Sequence, residues 1–146
     1  MQIKKTITLF ILFAAVSFVL AAQDKEHGGR PMTAVLTGAA EVPGPGDTDG
    51  TGTATITLNH GQGQVCYELT VANIGAATAA HIHSGGPTVA GPVVATLDAP
   101  AEGTSKGCVN LDKTKIMDIM KNPGNYYINV HNAEFADGAV RGQLSK

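Results

Sequence analysis

Three histidines carry the strongest chemical signal in this chain. His81 and His83 stand in Ala79-Ala80-His81-Ile82-His83, and His131 closes Tyr127-Ile128-Asn129-Val130-His131. Side chains alternate faces along a strand, so residues two apart point the same way, with Cα atoms roughly 6.5 Å apart. Two imidazoles at that spacing can converge on one metal ion held about 2 Å from each nitrogen, while Ile82 turns to the opposite side. His131 ends an apolar strand of its own, and a neighbouring strand would deliver it to the same place. The pattern is the skeleton of a three-histidine metal site on a β-scaffold. Three imidazoles without a thiolate suit copper or zinc; the affinity order favours copper, and three protein ligands leave a position open for a small ligand. His60, at a turn tip, and His27, in a polar lead-in, read as solvated side chains.

Arg141 is the residue with a further claim to a role. It lies in Gly138-Ala139-Val140-Arg141-Gly142-Gln143-Leu144, on the strand that hairpin logic pairs with the one ending in His131. There a permanent positive charge would attract and orient an anion beside the metal. The plainer alternative is a salt-bridge partner of Glu41 or Glu134. Glu41 is thus a candidate arginine partner or a carboxylate neighbour of the site. Tyr127 shares a face with Asn129 and His131 and is a candidate hydrogen-bonding neighbour of the ligands, or a core tyrosine.

These side chains need strands to carry them, and the chain is punctuated for strands. Runs at Met32–Gly38, Gly52–Leu58, Gln64–Ala72, Thr78–His83, Pro92–Leu97, Gly107–Leu111, Asn125–Asn132 and Ala139–Leu144 alternate apolar with polar residues. Val65, Tyr67, Leu69 and Val71 share one face of the third run. A proline- and glycine-rich loop from Val42 to Gly50 separates the first two, and Asp137-Gly138 is a hairpin cue between the last two. Thr114–Met120 breaks the two-residue period: Ile116, Met117, Ile119 and Met120 recur at three and four, the spacing of one short helix. The fold class expected is all-β, a Greek-key β-sandwich or flattened barrel of about eight strands with one short helix.

The first 22 residues have another character. Lys4 and Lys5 precede an almost wholly apolar stretch from Thr6 to Leu20, and Ala21-Ala22 follow. A basic start, a short apolar centre and a small-residue end make a signal peptide, cleaved after Ala21 or Ala22; the alternative is an uncleaved anchor, for which the apolar run is short. Residues 23–31 read as a flexible lead-in and 32–146 as one β domain. Loss of Lys4 and Lys5 takes the formal charge from −2 to −4. A mildly acidic chain without a basic block is a poor partner for nucleic acid or, after cleavage, for a membrane. Cys66 and Cys108, an even pair bound for an oxidising compartment, are expected to form a disulfide rather than to hold metal as thiolates.

In four stretches the sequence resembles the CHRD domain, the module found in chordin and in many bacterial secreted proteins. They are Leu36-Thr-Gly-Ala-Ala-Glu41-Val-Pro43, Ala80-His-Ile-His83-Ser-Gly85, Tyr127-Ile-Asn-Val-His131 and Gly138-Ala-Val-Arg141-Gly-Gln-Leu144. That resemblance implies a compact β domain and leaves the activity open. A slighter resemblance, to copper-containing superoxide dismutases, lies in the His-x-His strand, the later histidine before an acidic loop and the arginine near the C-terminus. It implies His81, His83 and His131 as copper ligands and Arg141 as the residue that draws in superoxide. No zinc-binding loop follows His83 and no bridging histidine is present, so the pattern fits at most a copper-only variant. The functional expectation is a secreted or periplasmic copper-binding domain with superoxide dismutation as its candidate activity. A non-enzymatic adhesion or interaction module and a copper carrier or buffer stand as alternatives. Nothing in the sequence indicates an oligomeric state.

Overall fold

The computed structural model describes residues 29–146. The expected signal peptide with its cleavage site, and most of the expected lead-in, fall outside the described residues. Eight strands follow in the order β1 (Arg30–Thr37), β2 (Thr51–Asn59), β3 (Gln64–Ala72), β4 (Ala77–Ser84), β5 (Val93–Leu97), β6 (Thr104–Asn110), β7 (Tyr126–Asn132) and β8 (Val140–Gln143). Among the described residues one α-helix, α1 (Lys113–Lys121), lies between β6 and β7, followed by a 3-10 turn at Pro123–Asn125. The lead-in expected over 23–31 ends sooner than its composition suggested. Arg30 and Pro31 already pair with Leu58 and Thr57, because β2 is long enough to extend the ladder to them. Pro31 is tolerated at the start of a strand, where its missing N–H costs least.

All eight strands belong to one antiparallel sheet ordered β5-β4-β7-β8-β1-β2-β3-β6. The sheet curls into a nearly closed barrel, the flattened-barrel form of the expected architecture. Its two edges meet through side chains: Tyr67 Oη donates to Asp98 Oδ2 and accepts from the Asp98 amide, both at 2.9 Å, and Ser105 Oγ donates to the Asp98 carbonyl at 2.7 Å. The approach of β5 and β6 covers the edges that an open sheet would present, without pairing them as a ladder.

The two-residue period sorts the strands cleanly. Met32, Ala34 and Leu36 of β1, Ile56 and Leu58 of β2, and Val65, Leu69 and Val71 of β3 face inward and are buried. Ile82, Ile128, Val130 and Val140 close the interior from the other half. α1 adds Ile116 and Ile119, both fully buried. It starts where Asp112 accepts hydrogen bonds from the Thr114 and Lys115 amides, satisfying two orphan donors of the first turn. Cys66 and Cys108 are directly opposed on β3 and β6 and form the expected disulfide, which ties edge strand β6 to its neighbour.

Candidate metal centre

The register brings the three histidines together. On the β4–β7 ladder His81 opposes Asn129, His83 opposes Tyr127 and Ala79 opposes His131. On the β7–β8 ladder Asn129 opposes Arg141 and Tyr127 opposes Gln143. Directly opposed residues share a face, so two rows of side chains cross three strands: His81, Asn129, Arg141 and His83, Tyr127, Gln143. Ile82, Ile128 and Val130 between them point into the barrel, which puts the histidines on its outer face.

That outer face is nevertheless largely dry. His83 is 9% exposed, Asn129 3%, Tyr127 2% and Arg141 1%. The cover comes from loops, chiefly a strap running from the end of β4 to the start of β5, residues 84–92. Gly91 closes the strap so tightly that a Cβ there would lie 1.5 Å from the Ser84 carbonyl oxygen.

One ring nitrogen of each histidine lies within 4.8 Å of the others. Hydrogen bonds to backbone carbonyls decide which. His83 Nδ1 lies 2.8 Å from the Gly91 carbonyl and His131 Nδ1 2.9 Å from the Ala136 carbonyl. A carbonyl can only accept, so both Nδ1 atoms carry the proton and both Nε2 atoms carry a lone pair. His131 Nε2 sits 3.0 Å from His81 Nδ1 and 3.1 Å from Asn129 Oδ1; a lone pair on Nε2 requires the Asn129 carboxamide turned so that its Nδ2 donates to the ring. His83 Nε2 is buried with no hydrogen-bond partner. The inward set is therefore His81 Nδ1, His83 Nε2 and His131 Nε2. Three ligands at about 2.0 Å from one ion stand about 3.3–3.5 Å apart, so small side-chain shifts bring these nitrogens into range.

Electrostatics favours the neutral form of His81 and His131. Burial pushes the His81 imidazole below its usual range, and the other two histidines push it further. Burial also lowers His131, against the Ala136 carbonyl, which favours its protonated form. Neutral imidazole is the form that binds metal.

The sequence of these residues matches the CHRD domain family over residues 32–144. The chain belongs to the CHRD domain family. No curated protein and no solved structure matches it.

The other expected site residues of this CHRD domain lie around the histidines. Tyr127 stacks on His83, with centroids 4.8 Å apart and planes within 9°. Arg141 lies over the same ring, its Cζ 3.5 Å from the centroid. Arg141 is thus separated from His81 and His83 by the residues of β7, and its Nη2 donates to the Gly86 carbonyl and to Gln143 Oε1. Glu41 is buried, its carboxyl against Gly138, where φ is +144° and a Cβ would lie 2.4 Å from the carboxyl carbon. Burial raises its pKa to about 7, although the Arg141 charge acts to lower it. Glu41 Oε1 and Arg141 Nη1 are both buried without hydrogen-bond partners, so the two sense each other by charge and not by a direct bond. His60 lies at the β2–β3 turn, away from the cluster, and His27 lies outside the described residues.

Asn129 and Gln143 had no assigned role from sequence, and neither did the Gly91 and Ala136 carbonyls. Parity along β7 and β8 places both side chains on the histidine face, which is the one signal available for them. A carbonyl that fixes a tautomer leaves no mark in side-chain identity.

Proposed function

We propose that this CHRD domain is a copper-binding domain of an exported protein, with His81 Nδ1, His83 Nε2 and His131 Nε2 as ligands. The observation that carries the reading is the bare, buried Nε2 of His83, whose Nδ1 is committed to the Gly91 carbonyl. A buried ring nitrogen without a partner is costly in a structural role and is explained by a metal ligand. With a lone pair on His131 Nε2, His81 Nδ1 would be the donor across the 3.0 Å between them, a bond that metal would replace, leaving the His81 proton on Nε2. Three neutral imidazoles with no thiolate favour copper over zinc by affinity order. Export is supported by the basic and apolar start of the sequence and by the Cys66–Cys108 disulfide.

Copper bound there would supply one-electron redox chemistry. His81 and His131 are only half-buried, so this side of the cluster faces solvent and a small anion can approach it. Superoxide dismutation is the activity that this arrangement fits, and a copper carrier is the same site without turnover. The test is copper titration of the purified protein followed by a superoxide assay of the loaded form. Stoichiometric binding with turnover supports the enzyme, and binding without turnover supports the carrier.

A second reading, an interaction module, is favoured by a shallow groove on the outer face of β1–β3, lined by Val35, Thr37, Thr51, Thr53, Thr70 and Ala72. Val35 is 73% exposed there. Absence of copper affinity would move the case to that surface.

A further inference from the structure

We infer that Gln143 and Arg141 are positioning residues of the metal site: they fasten the 84–92 strap to β8, and the strap fixes which nitrogen of His83 can bind metal. The inference rests on the copper reading and adds to it a device that sets ligand geometry from outside the ligand set.

The bonds run in sequence from β8 to the ring. Gln143 Nε2 donates to the Gly85 carbonyl at 3.0 Å and to the Gly124 carbonyl at 2.8 Å, with the Tyr126 carbonyl at 3.2 Å. Its Oε1 accepts from Arg141 Nη2 at 3.0 Å, which fixes the orientation of the carboxamide. Arg141 Nη2 also holds the Gly86 carbonyl at 2.8 Å. The near end of the strap is thus bound at two successive carbonyls. At its far end the Ser84 amide donates to the Pro92 carbonyl at 3.1 Å, and the Gly91 amide donates to Tyr127 Oη at 3.1 Å. The Gly91 carbonyl then faces His83 Nδ1 at 2.8 Å. Tyr127 lies flat against His83 and under the Arg141 guanidinium, so ring plane and tautomer are fixed by one assembly.

This assigns Arg141 a different task from steering anions. A steering cation faces solvent, and Arg141 is 1% exposed with its hydrogen bonds spent on the strap and on Gln143. Partners that orient a metal-binding histidine typically govern metal affinity by about 10- to 100-fold. Loss of the strap's anchor should have an effect of that size while all three ligands stay in place.

The experiment compares wild type with Gln143→Ala and Tyr127→Phe. Long-range 1H–15N correlations on the metal-free protein report the His83 tautomer, and Cu(II) competition against a chelator reports affinity. In wild type His83 is expected wholly in the Nδ1–H form. In Gln143→Ala the Nε2–H form should appear and Cu(II) affinity should fall about 10- to 100-fold. Tyr127→Phe keeps the ring and removes the two hydrogen bonds of Tyr127 Oη to Gly91, from its amide at 3.1 Å and to its carbonyl at 3.5 Å, so it reads out even if Gln143→Ala fails to fold. It should show the same tautomer shift with a smaller loss. Folded variants with an unchanged tautomer and Cu(II) affinity within twofold of wild type would overturn the inference. A His83→Ala protein that binds Cu(II) like wild type would instead overturn the copper reading, and the tautomer data would still decide the strap's role.

Discussion

Replacing Glu41 with glutamine should remove a specific segment of the protein's pH dependence. Glu41 is buried beside Gly138, and burial raises its carboxyl from the ordinary 4.5 to about 7. A carboxyl whose folded pKa lies above its unfolded one stabilises the fold fully below pH 4.5 and loses that contribution as pH rises through 7. At 1.36 kcal/mol per pH unit the loss is about 3 kcal/mol. His81 and His131 act in the opposite sense, and the attraction between Glu41 and Arg141 is already contained in the pKa of about 7. The histidine contribution is common to both proteins, and glutamine at position 41 does not titrate. The difference in unfolding free energy between wild type and variant therefore isolates Glu41. Urea unfolding of the metal-free, disulfide-intact proteins from pH 4.5 to 8.5 measures it. The difference should fall by about 3 kcal/mol across that range, or about 1.5 M in midpoint for a urea slope of about 2 kcal/mol/M. A difference independent of pH would show that Glu41 is not held protonated by its surroundings, and the account of this pocket would be wrong.

His81 and His131 have folded pKa values lowered below 6.5, so their neutral forms contribute stability above that pH, which is lost as pH falls through the folded values. The same depression weakens proton competition: Cu(II) affinity should stay flat from pH 8 to below 6.5, checked by chelator competition at each pH. Ile82→Ala empties a fully buried position between His81 and His83 and should cost about 2–5 kcal/mol in urea unfolding. Cys66→Ser with Cys108→Ser opens a crosslink spanning 42 residues and should cost about 3–4 kcal/mol in thermal or urea unfolding. Because the disulfide lies on β3 and β6, Cu(II) affinity of the folded variant should be unchanged.

How much of this was legible in the sequence depended on whether side-chain period or backbone position carried the information. The strands were, because residues such as Val65, Tyr67, Leu69 and Val71 alternate with polar neighbours and all four are buried. The helix was, since Ile116 and Ile119 recur at helical spacing behind the Asp112 cap. The convergence of His81, His83 and His131 was legible from parity, because β7 pairs with β4 in a register that keeps all three on one face. Parity did not say which face. Histidines on the outside of a barrel are expected to be wet, and the dryness of His83 comes from the 84–92 strap. Arg141 was legible as a residue near the histidines but not as a buried one. Its environment is set by the Gly86 carbonyl and the Tyr127 ring, and backbone carbonyls have no sequence signature. Pro31 read as lead-in because it ends a polar stretch containing Gly28-Gly29, and pairing with Thr57 of β2 draws it into β1.

Copper titration of the purified protein beside a His81→Ala/His83→Ala/His131→Ala variant, each shown to be folded, tests the central claim most directly. One Cu(II) bound per chain in wild type and none in the variant is the predicted result. Equal binding by the two proteins, or no binding by wild type at micromolar copper, would contradict it.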